Sequence, residues 1–298
     1  MPDALNINAE LVRDLIEQQF PQWATLSINP FTPGGWDNRN FRLGDDMVVR
    51  LPSAKRYALQ VEKEQHWLPR LAADLPVAIP HPLAMGTPGE RYPWHWSIYG
   101  WLDGETARDG HIAEPDGFAV SLAGFLNALH LIDGADGPQP GPHNFHRGAH
   151  LGTYDAETRR AIANIENDID VQKVAAIWES ALASSWEGAP IWFHGDLEPG
   201  NLLVEDGRLS AVIDFGCCGV GDPACDLAIA WTFFDAEQRR AFRSALGVDD
   251  ACWLRGCGWA LWKALIVLSG QPSTDPSTRD HAGTTLRRIV EDGDLAAG

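Results

Sequence analysis

The hydrophobic positions of this chain change their spacing along the sequence, and each change predicts a different element. After Asn8, a suitable N-cap, apolar residues between 9 and 20 recur at i, i+4 spacing, which predicts an amphipathic helix. Residues 25–52 are typical of a strand, a loop and a β-hairpin. Helices are predicted again over residues 56–73 and 118–131, so the first half of the chain combines strands and helices.

Three short apolar runs follow residue 190 and predict three strands. They are Ile191–Phe193, Leu202–Val204 and Leu209–Ile213. The last two are joined by Glu205-Asp206-Gly207, and Asp-Gly favours the positive φ of a hairpin turn. The hairpin folds the chain back on itself, so we expect Asp214, after the third strand, to lie beside Asn201, before the second.

Polar side chains at the ends of these runs suggest chemistry. One carboxylate and one amide oxygen, from Asp214 and Asn201, suit a Mg²⁺ ion that carries phosphates. Asp196, earlier in the same loop, is left to take a proton from a hydroxyl, which completes the requirements of phosphoryl transfer. An alternative is a pair of Asp- and Asn-rich turns between strands. The combination of H-G-D-x-x-x-x-N, a hairpin and I-D-F-G favours the catalytic interpretation.

These residues resemble a known family. The stretch from His194 to Gly216 is similar to the catalytic core of protein kinases, H-R-D-x-x-x-x-N followed by D-F-G. It resembles the aminoglycoside phosphotransferase family more closely, because Gly195 replaces the arginine and the segment Gly221-Asp222-Pro223-Ala224-Cys225-Asp226-Leu227-Ala228 follows. The resemblance covers about residues 25 to 270. The chain has no A-P-E segment after Asp214-Phe215-Gly216, which disfavours a protein acceptor.

The resemblance implies a fold and its boundaries. The expected fold is α+β and two-lobed, protein-kinase-like, with a small antiparallel-sheet N-lobe and a larger, mainly helical C-lobe. Residues 1–98 would form the N-terminal nucleotide-binding lobe, residues 99–103 the hinge, and residues 104–298 the catalytic and acceptor-binding lobe.

The resemblance also implies ATP or GTP as the phosphoryl donor, Mg²⁺ as the cofactor, and a nucleotide site between the lobes. Arg50 takes the place of the lysine that holds the nucleotide phosphates in the family, and arginine can bind phosphate through two bonds. The loop before it could also be a plain β-hairpin. The other residues implied are the loop residues Gly34, Gly35 and Asn38, the hinge residues Tyr99 and Trp101, and the apolar residues Val48, Leu203 and Ile213 around the base.

A carboxylate should orient Arg50, and two glutamates compete for this role. Glu64 shares a helical face with Val61 and Leu68, whereas Glu62 lies on a more polar face. The spacing therefore favours Glu64 as the partner of Arg50, the alternative being a solvated surface glutamate.

Three further residues are expected to support the loop. His194 would brace it through ring hydrogen bonds. Asp226 would accept hydrogen bonds from its backbone, with Asp222 in a similar role, although either aspartate could instead cap a helix predicted from Leu227 to Phe234.

The acceptor is less determined than the donor. The net charge of −18 argues against nucleic acid as a partner and would suit a cationic small molecule, although acidity could also serve solubility alone. Helices predicted near 155–168 and 171–185 would wall the acceptor site. Acidic residues on later helices could hold ammonium groups or be surface charges; they are Asp235, Glu237, Asp249 and Asp250.

An aminoglycoside-type antibiotic is the first acceptor hypothesis, and antibiotic resistance the role that would follow from it. A macrolide or a small metabolite, such as an amino alcohol or a sugar, is the second, because fold does not fix the acceptor. A catalytically silent nucleotide-binding module and a purely structural protein are hypotheses from other classes.

Composition adds few constraints. The 298 residues are 45% apolar, as in globular proteins, and five cysteines without a C-x-x-C unit make a zinc site an unattractive interpretation. His143, His146 and His150 could bind a metal, but the surrounding glycines and proline favour a surface loop. The first residues lack the features of a signal peptide, and the apolar run 259–268 is too short to span a bilayer. We therefore expect a cytoplasmic protein without membrane contact.

Overall fold

A computed structural model describes residues 5–31, 37–165, 169–270 and 276–292 of the chain. Within these ranges the α-helices are α1 (Ala9–Gln19), α2 (Lys55–Leu71), α3 (Pro115–Leu131), α4 (Asp155–Ala163), α5 (Val171–Leu182), α6 (Ile229–Thr232), α7 (Ala236–Leu246), α8 (Asp250–Ser269) and α9 (Pro276–Glu291). The strands are β1 (Ile28–Pro30), β2 (Asn38–Leu43), β3 (Met47–Pro52), β4 (Pro82–Gly86), β5 (Trp96–Gly100), β6 (Glu105–Thr106), β7 (Ile191–Phe193), β8 (Leu202–Glu205), β9 (Arg208–Val212) and β10 (Gly219–Gly221).

The first lobe is an antiparallel sheet of five strands in the order β1-β2-β3-β5-β4. Side chains alternate across β3, so Val49 and Leu51 are fully buried against a cluster that includes α1. Val48 and Arg50 point to the opposite face, toward the rest of the molecule. The alternation thus places one side of the sheet in a local core and the other side over a cleft.

The second lobe is larger and mostly helical, which makes the fold two-lobed, kinase-like and α+β as expected. Its hydrophobic cluster combines residues of α3, α5 and α8 with residues of the short strands β7 and β8. Two small sheets accompany it, one in the order β6-β8-β9 and one pairing β7 with β10. These two sheets carry the loop that begins at His194.

Helix α2 connects the lobes. Lys63 donates hydrogen bonds of 2.8 Å to the carbonyl oxygens of Gly216 and Cys218, while Leu68 and Leu71 join the large cluster. Residue Ala78, between α2 and β4, forms an isolated parallel bridge with Ala211, because the backbone of Ala78 bonds Ser210 and Val212 of the other lobe.

Several predicted element bounds were wrong in detail. Helix α4 ends at Ala163 because the Asn164 side chain bonds back to the carbonyl of Arg160, and residues 166–168 lie outside the described ranges. The helix expected from Leu227 to Phe234 is a 3₁₀ helix, Pro223–Ala228, followed by the single turn α6.

Helix α8 is longer than its apolar run suggested, because Asp249 caps it by accepting a hydrogen bond from the Cys252 amide. Its length and composition would suffice to cross a membrane, but 67% of that apolar window is buried within the fold. Helix α8 is therefore a core helix that packs against α5, α9 and residues 223–228.

Candidate active site

The loop after β7 is held from both sides. The buried ring of His194 lies 3.0 Å from the carbonyl oxygen of Ile213 through Nε2, and Nδ1 accepts a 3.2 Å hydrogen bond from the Asp196 amide. Burial lowers the pKa of His194, which keeps the ring neutral with its proton on Nε2. His194 thereby links the start of the loop to the segment between β9 and Asp214.

Asp226 supports the same loop from beneath. Its two carboxylate oxygens accept hydrogen bonds from the amides of His194 and Gly195, at 2.7 and 2.6 Å. Burial raises the pKa of Asp226 to about 7, although these two hydrogen bonds oppose the rise. Asp222 has the alternative role: it caps the 3₁₀ helix through the Ala224 amide and pairs with Arg255 at 2.7 Å.

Only glycine fits easily at position 195. Its φ is +86°, and a Cβ there would lie 2.4 Å from the carbonyl oxygen of Cys217. The replacement of the kinase arginine by glycine thus matches a tight contact between two loops of the site.

Asp196, Asn201 and Asp214 lie together, as the hairpin predicts. The Asn201 amide nitrogen donates to the carbonyl of Asp196 at 2.9 Å, and the Asn201 carbonyl accepts from the Ile213 amide at 2.9 Å. Asp214 follows in the left-handed conformation, with a φ of +67°. The side chains of Asn201 and Asp214 offer the oxygen ligands that Mg²⁺ prefers.

In the part of the chain that the structure describes, no three His, Cys, Asp or Glu side chains are placed to hold a metal ion together. Nucleotide phosphates commonly supply the remaining ligands of Mg²⁺, so the Asn201–Asp214 pair fits this ion when it arrives with a nucleotide.

Arg50 joins the two lobes at this point. Its Nη2 lies 2.7 Å from Asp214 Oδ1 and its Nη1 lies 3.5 Å from Glu64 Oε1, while Tyr99 donates to Glu64 at 3.0 Å. Burial alone would lower the pKa of Arg50, but Asp214 and Glu64 outweigh it and raise the pKa. Glu62, the other candidate partner of Arg50, is exposed and pairs with His95. The helical spacing therefore identified the correct partner of Arg50.

The other residues predicted for the nucleotide site differ in their burial and location. Val48 and Ile213 are half-buried, and Leu203 points away from its neighbours Leu202 and Val204, which belong to the large cluster. Asn38 is buried at the start of β2 opposite Pro52. Gly34 and Gly35 lie outside the described residues.

The predicted hinge residues Tyr99 and Trp101 make contacts within the protein. The Trp101 amide donates to the carbonyl of Asp46 at 2.8 Å, so this N–H is not available to a base. The indole of Trp101 stacks on Phe31 at 5.4 Å and lies under the guanidinium of Arg42. The side chain of Tyr99 is buried, and its hydroxyl donates a hydrogen bond to Glu64.

Two cations beside Asp196 were not anticipated. Lys263 Nζ lies 2.9 Å from Asp196 Oδ1 and 3.3 Å from Glu198 Oε1. Burial would raise the pKa of Asp196, but Lys263 and then Arg147 outweigh it and lower the pKa. A lysine within the apolar run 259–268 was the one sequence signal for this contact.

Another acidic group, Asp37, adjoins the site just before β2. Burial and then the neighbouring Asp214 raise the pKa of Asp37 to about 6. Four acidic residues were suggested for an acceptor's ammonium groups. Asp235 and Asp249 cap α7 and α8, Asp250 pairs with Arg243, and Glu237 is exposed in the first turn of α7.

The two-lobed fold and the loop after β7 together match the class of kinase-like phosphotransferases. The family model described as "Phosphotransferase enzyme family" matches residues 28–261. The chain belongs to this family.

Individual relatives are more distant. The chain is 26% identical over 175 residues to "Uncharacterized protein YcbJ" of Bacillus subtilis, and it spans about half (51%) of that protein's length. A GDP and kanamycin complex of the aminoglycoside phosphotransferase APH(2″)-IIIa is similar with a TM-score of 0.72 and 20% identity, over 94% of this chain and 98% of that one. Macrolide 2′-phosphotransferase MphH from Brachybacterium faecium has a TM-score of 0.62 and 23% identity, over 93% and 97%. At these identities the structures establish the fold alone.

Proposed function

We propose that the protein transfers the γ-phosphoryl group of ATP or GTP to a hydroxyl group of a small molecule. The observation that carries the proposal is the convergence of Asp196, Asn201 and Asp214 at one place, beneath Arg50 of the other lobe. A structural protein would have no need for these polar groups to meet between two lobes.

Each residue has a role in this proposal. Asp196 accepts the hydrogen bond of the acceptor hydroxyl, orients it toward the phosphoryl group and takes its proton. Asp196 is suited to this as an ionised carboxylate, because Lys263 and Arg147 outweigh burial and lower its pKa. Asn201 and Asp214 would hold Mg²⁺, which when bound neutralises charge on the phosphates. Arg50 adds a fixed positive charge for the phosphates and is itself oriented by Glu64.

The site's backbone is prepared before the substrates bind. The bonds from Asp226 and His194 fix the loop on both sides of Gly195, so little reorganisation is required during transfer. Lys63 fixes the loop after Asp214 in the same way.

The acceptor is proposed separately. Similar structures carry the names of aminoglycoside and macrolide phosphotransferases, which makes those antibiotics the first acceptors to assay, with hydroxylated metabolites beside them. Five free, buried cysteines favour a reducing compartment such as the cytoplasm.

The test is nucleotide consumption by the purified protein with Mg²⁺, ATP or GTP, and a panel of aminoglycosides, macrolides and hydroxylated metabolites. Mass spectrometry would look for an acceptor that has gained a phosphate. We expect Asp196→Asn to reduce turnover by about 10²–10⁴-fold while nucleotide binding is retained.

The exposed Glu205, on the same hairpin, provides a matched control, because Glu205→Gln also removes one carboxylate but should leave turnover unchanged. Full turnover by Asp196→Asn would refute the assignment of the base. Tight nucleotide binding without any phosphorylated acceptor would favour a binding module instead.

A further inference from the structure

A cation of the protein itself lies beside Asp196, the proposed base. Lys263 extends from the core helix α8, and its side chain is only 16% exposed. Its ammonium group bonds Asp196 and Glu198 together, at 2.9 and 3.3 Å. An ammonium group that entered beside Asp196 would find these two carboxylates already bound to Lys263.

Further positive charge surrounds the same loop. The Nε of Arg147 donates to the carbonyl of Gly195 at 3.1 Å, and its guanidinium lies 4.7 Å from the ring centre of Trp262. On the other side, the guanidinium of Arg108 lies against Gly200, where an added Cβ would be 3.1 Å from its Nη2. The loop from Asp196 to Gly200 is thus flanked by three cationic side chains.

Nearby carboxylates on α4 are already committed to other partners. Glu157 accepts a 2.6 Å hydrogen bond from the indole of Trp262, and Asp155 accepts bonds from Arg159 and Trp178. The net charge of −18 therefore does not by itself describe the surroundings of Asp196, where the carboxylates of Asp37 and Asp214 are accompanied by the cations Lys263, Arg147 and Arg50.

We propose that Lys263 selects against cationic acceptors, and that the acceptor is a neutral or anionic hydroxylated small molecule without an ammonium group beside the reactive hydroxyl. The inference rests on the proposed function and narrows its acceptor. An ammonium group entering here would stand next to Lys263 and would have to displace it from two carboxylates in a half-buried site. Like charges placed together in such a site are strongly unfavourable.

The experiment compares binding and turnover in the full chain. Three hydroxylated probes are used with Mg²⁺ and nucleotide: glucose as a neutral compound, glycerate as an anionic one, and kanamycin as a polycation. Calorimetry measures kanamycin binding to the wild type, to Lys263→Met, which removes the charge, and to Lys263→Arg, which keeps it. Arg243→Met removes a cation that pairs with Asp250 on the surface and is the matched control.

We expect Lys263→Met to bind kanamycin about tenfold more tightly than the wild type, whereas Lys263→Arg and Arg243→Met should not. Among the probes, wild-type turnover should be faster with glucose or glycerate than with kanamycin. Faster wild-type turnover of kanamycin, or equal kanamycin affinity in folded Lys263→Met and wild type, would overturn the proposal. If Lys263→Met fails to fold, the turnover rates of the three probes by the wild type still test the proposal.

Failure of the proposed function has a different signature. In that case no probe or other acceptor gains a phosphate from the wild type, yet the calorimetric comparison of Lys263→Met with the wild type still measures charge exclusion at Asp196.

Discussion

Replacing Asp226 by asparagine should change stability in a way that depends strongly on pH. The rise of the Asp226 pKa from an ordinary 3.8 to about 7 corresponds to ~4 kcal/mol at about 1.36 kcal/mol for each pH unit. Between these two pKa values the folded protein binds more protons than the unfolded chain. The contribution of Asp226 to the free energy of unfolding therefore falls as pH rises from about 4 to about 7 and is constant above that.

The asparagine side chain of the variant does not titrate, so the variant would lack this slope. Its one oxygen could still accept a hydrogen bond from one of the two backbone amides, His194 or Gly195. Its NH₂ group would face the second amide, and leaving that N–H without an acceptor costs about 1–3 kcal/mol. We therefore expect Asp226→Asn to be less stable than the wild type by about 1–3 kcal/mol at pH 5. Because the wild type loses about 3 kcal/mol over that range, the variant at pH 8 should be as stable as the wild type or more stable by up to about 2 kcal/mol.

Urea unfolding of both proteins at pH 5, 6, 7 and 8 measures the difference directly. Asp136→Asn, in an exposed loop, controls for the removal of a carboxylate. Parallel stability curves for Asp226→Asn and the wild type would refute the reasoning, since they would show that Asp226 has the same pKa in the folded and unfolded states.

Two further substitutions test how the loops are held. Gly195→Ala forces a Cβ at φ +86° against the carbonyl of Cys217, so we expect a loss of about 3 kcal/mol in the free energy of unfolding and reduced turnover. Urea unfolding that shows a variant as stable as the wild type would contradict this. Lys63→Met removes the hydrogen bonds to the carbonyls of Gly216 and Cys218. Urea unfolding should therefore show a loss of about 3 kcal/mol in the free energy of unfolding, and calorimetry should show weaker Mg-nucleotide binding. Unchanged values in both measurements would show that this contact does not hold the lobes together.

The sequence alone determined the centre of the site. The Asp206-Gly207 turn and the two flanking apolar runs define a hairpin, and a hairpin necessarily returns the chain, so the proximity of Asn201 and Asp214 follows from local rules. The same is true of Glu64, which helical periodicity places on the buried face of α2. Such arguments work where neighbours in space are a few residues or one turn apart.

Contacts between distant segments were decided by the tertiary structure. Lys263 reaches Asp196 across 67 positions of sequence, because α8 packs beside the loop. The division of roles between Asp222 and Asp226 depends on Arg255 of the same helix, and a capping pattern in the sequence suits both aspartates equally. Charge composition could not reveal the cations around Asp196 either, since a net charge carries no positions. Local spacing thus specifies the turns and faces, whereas the packing of the helices determines which charges meet at the site.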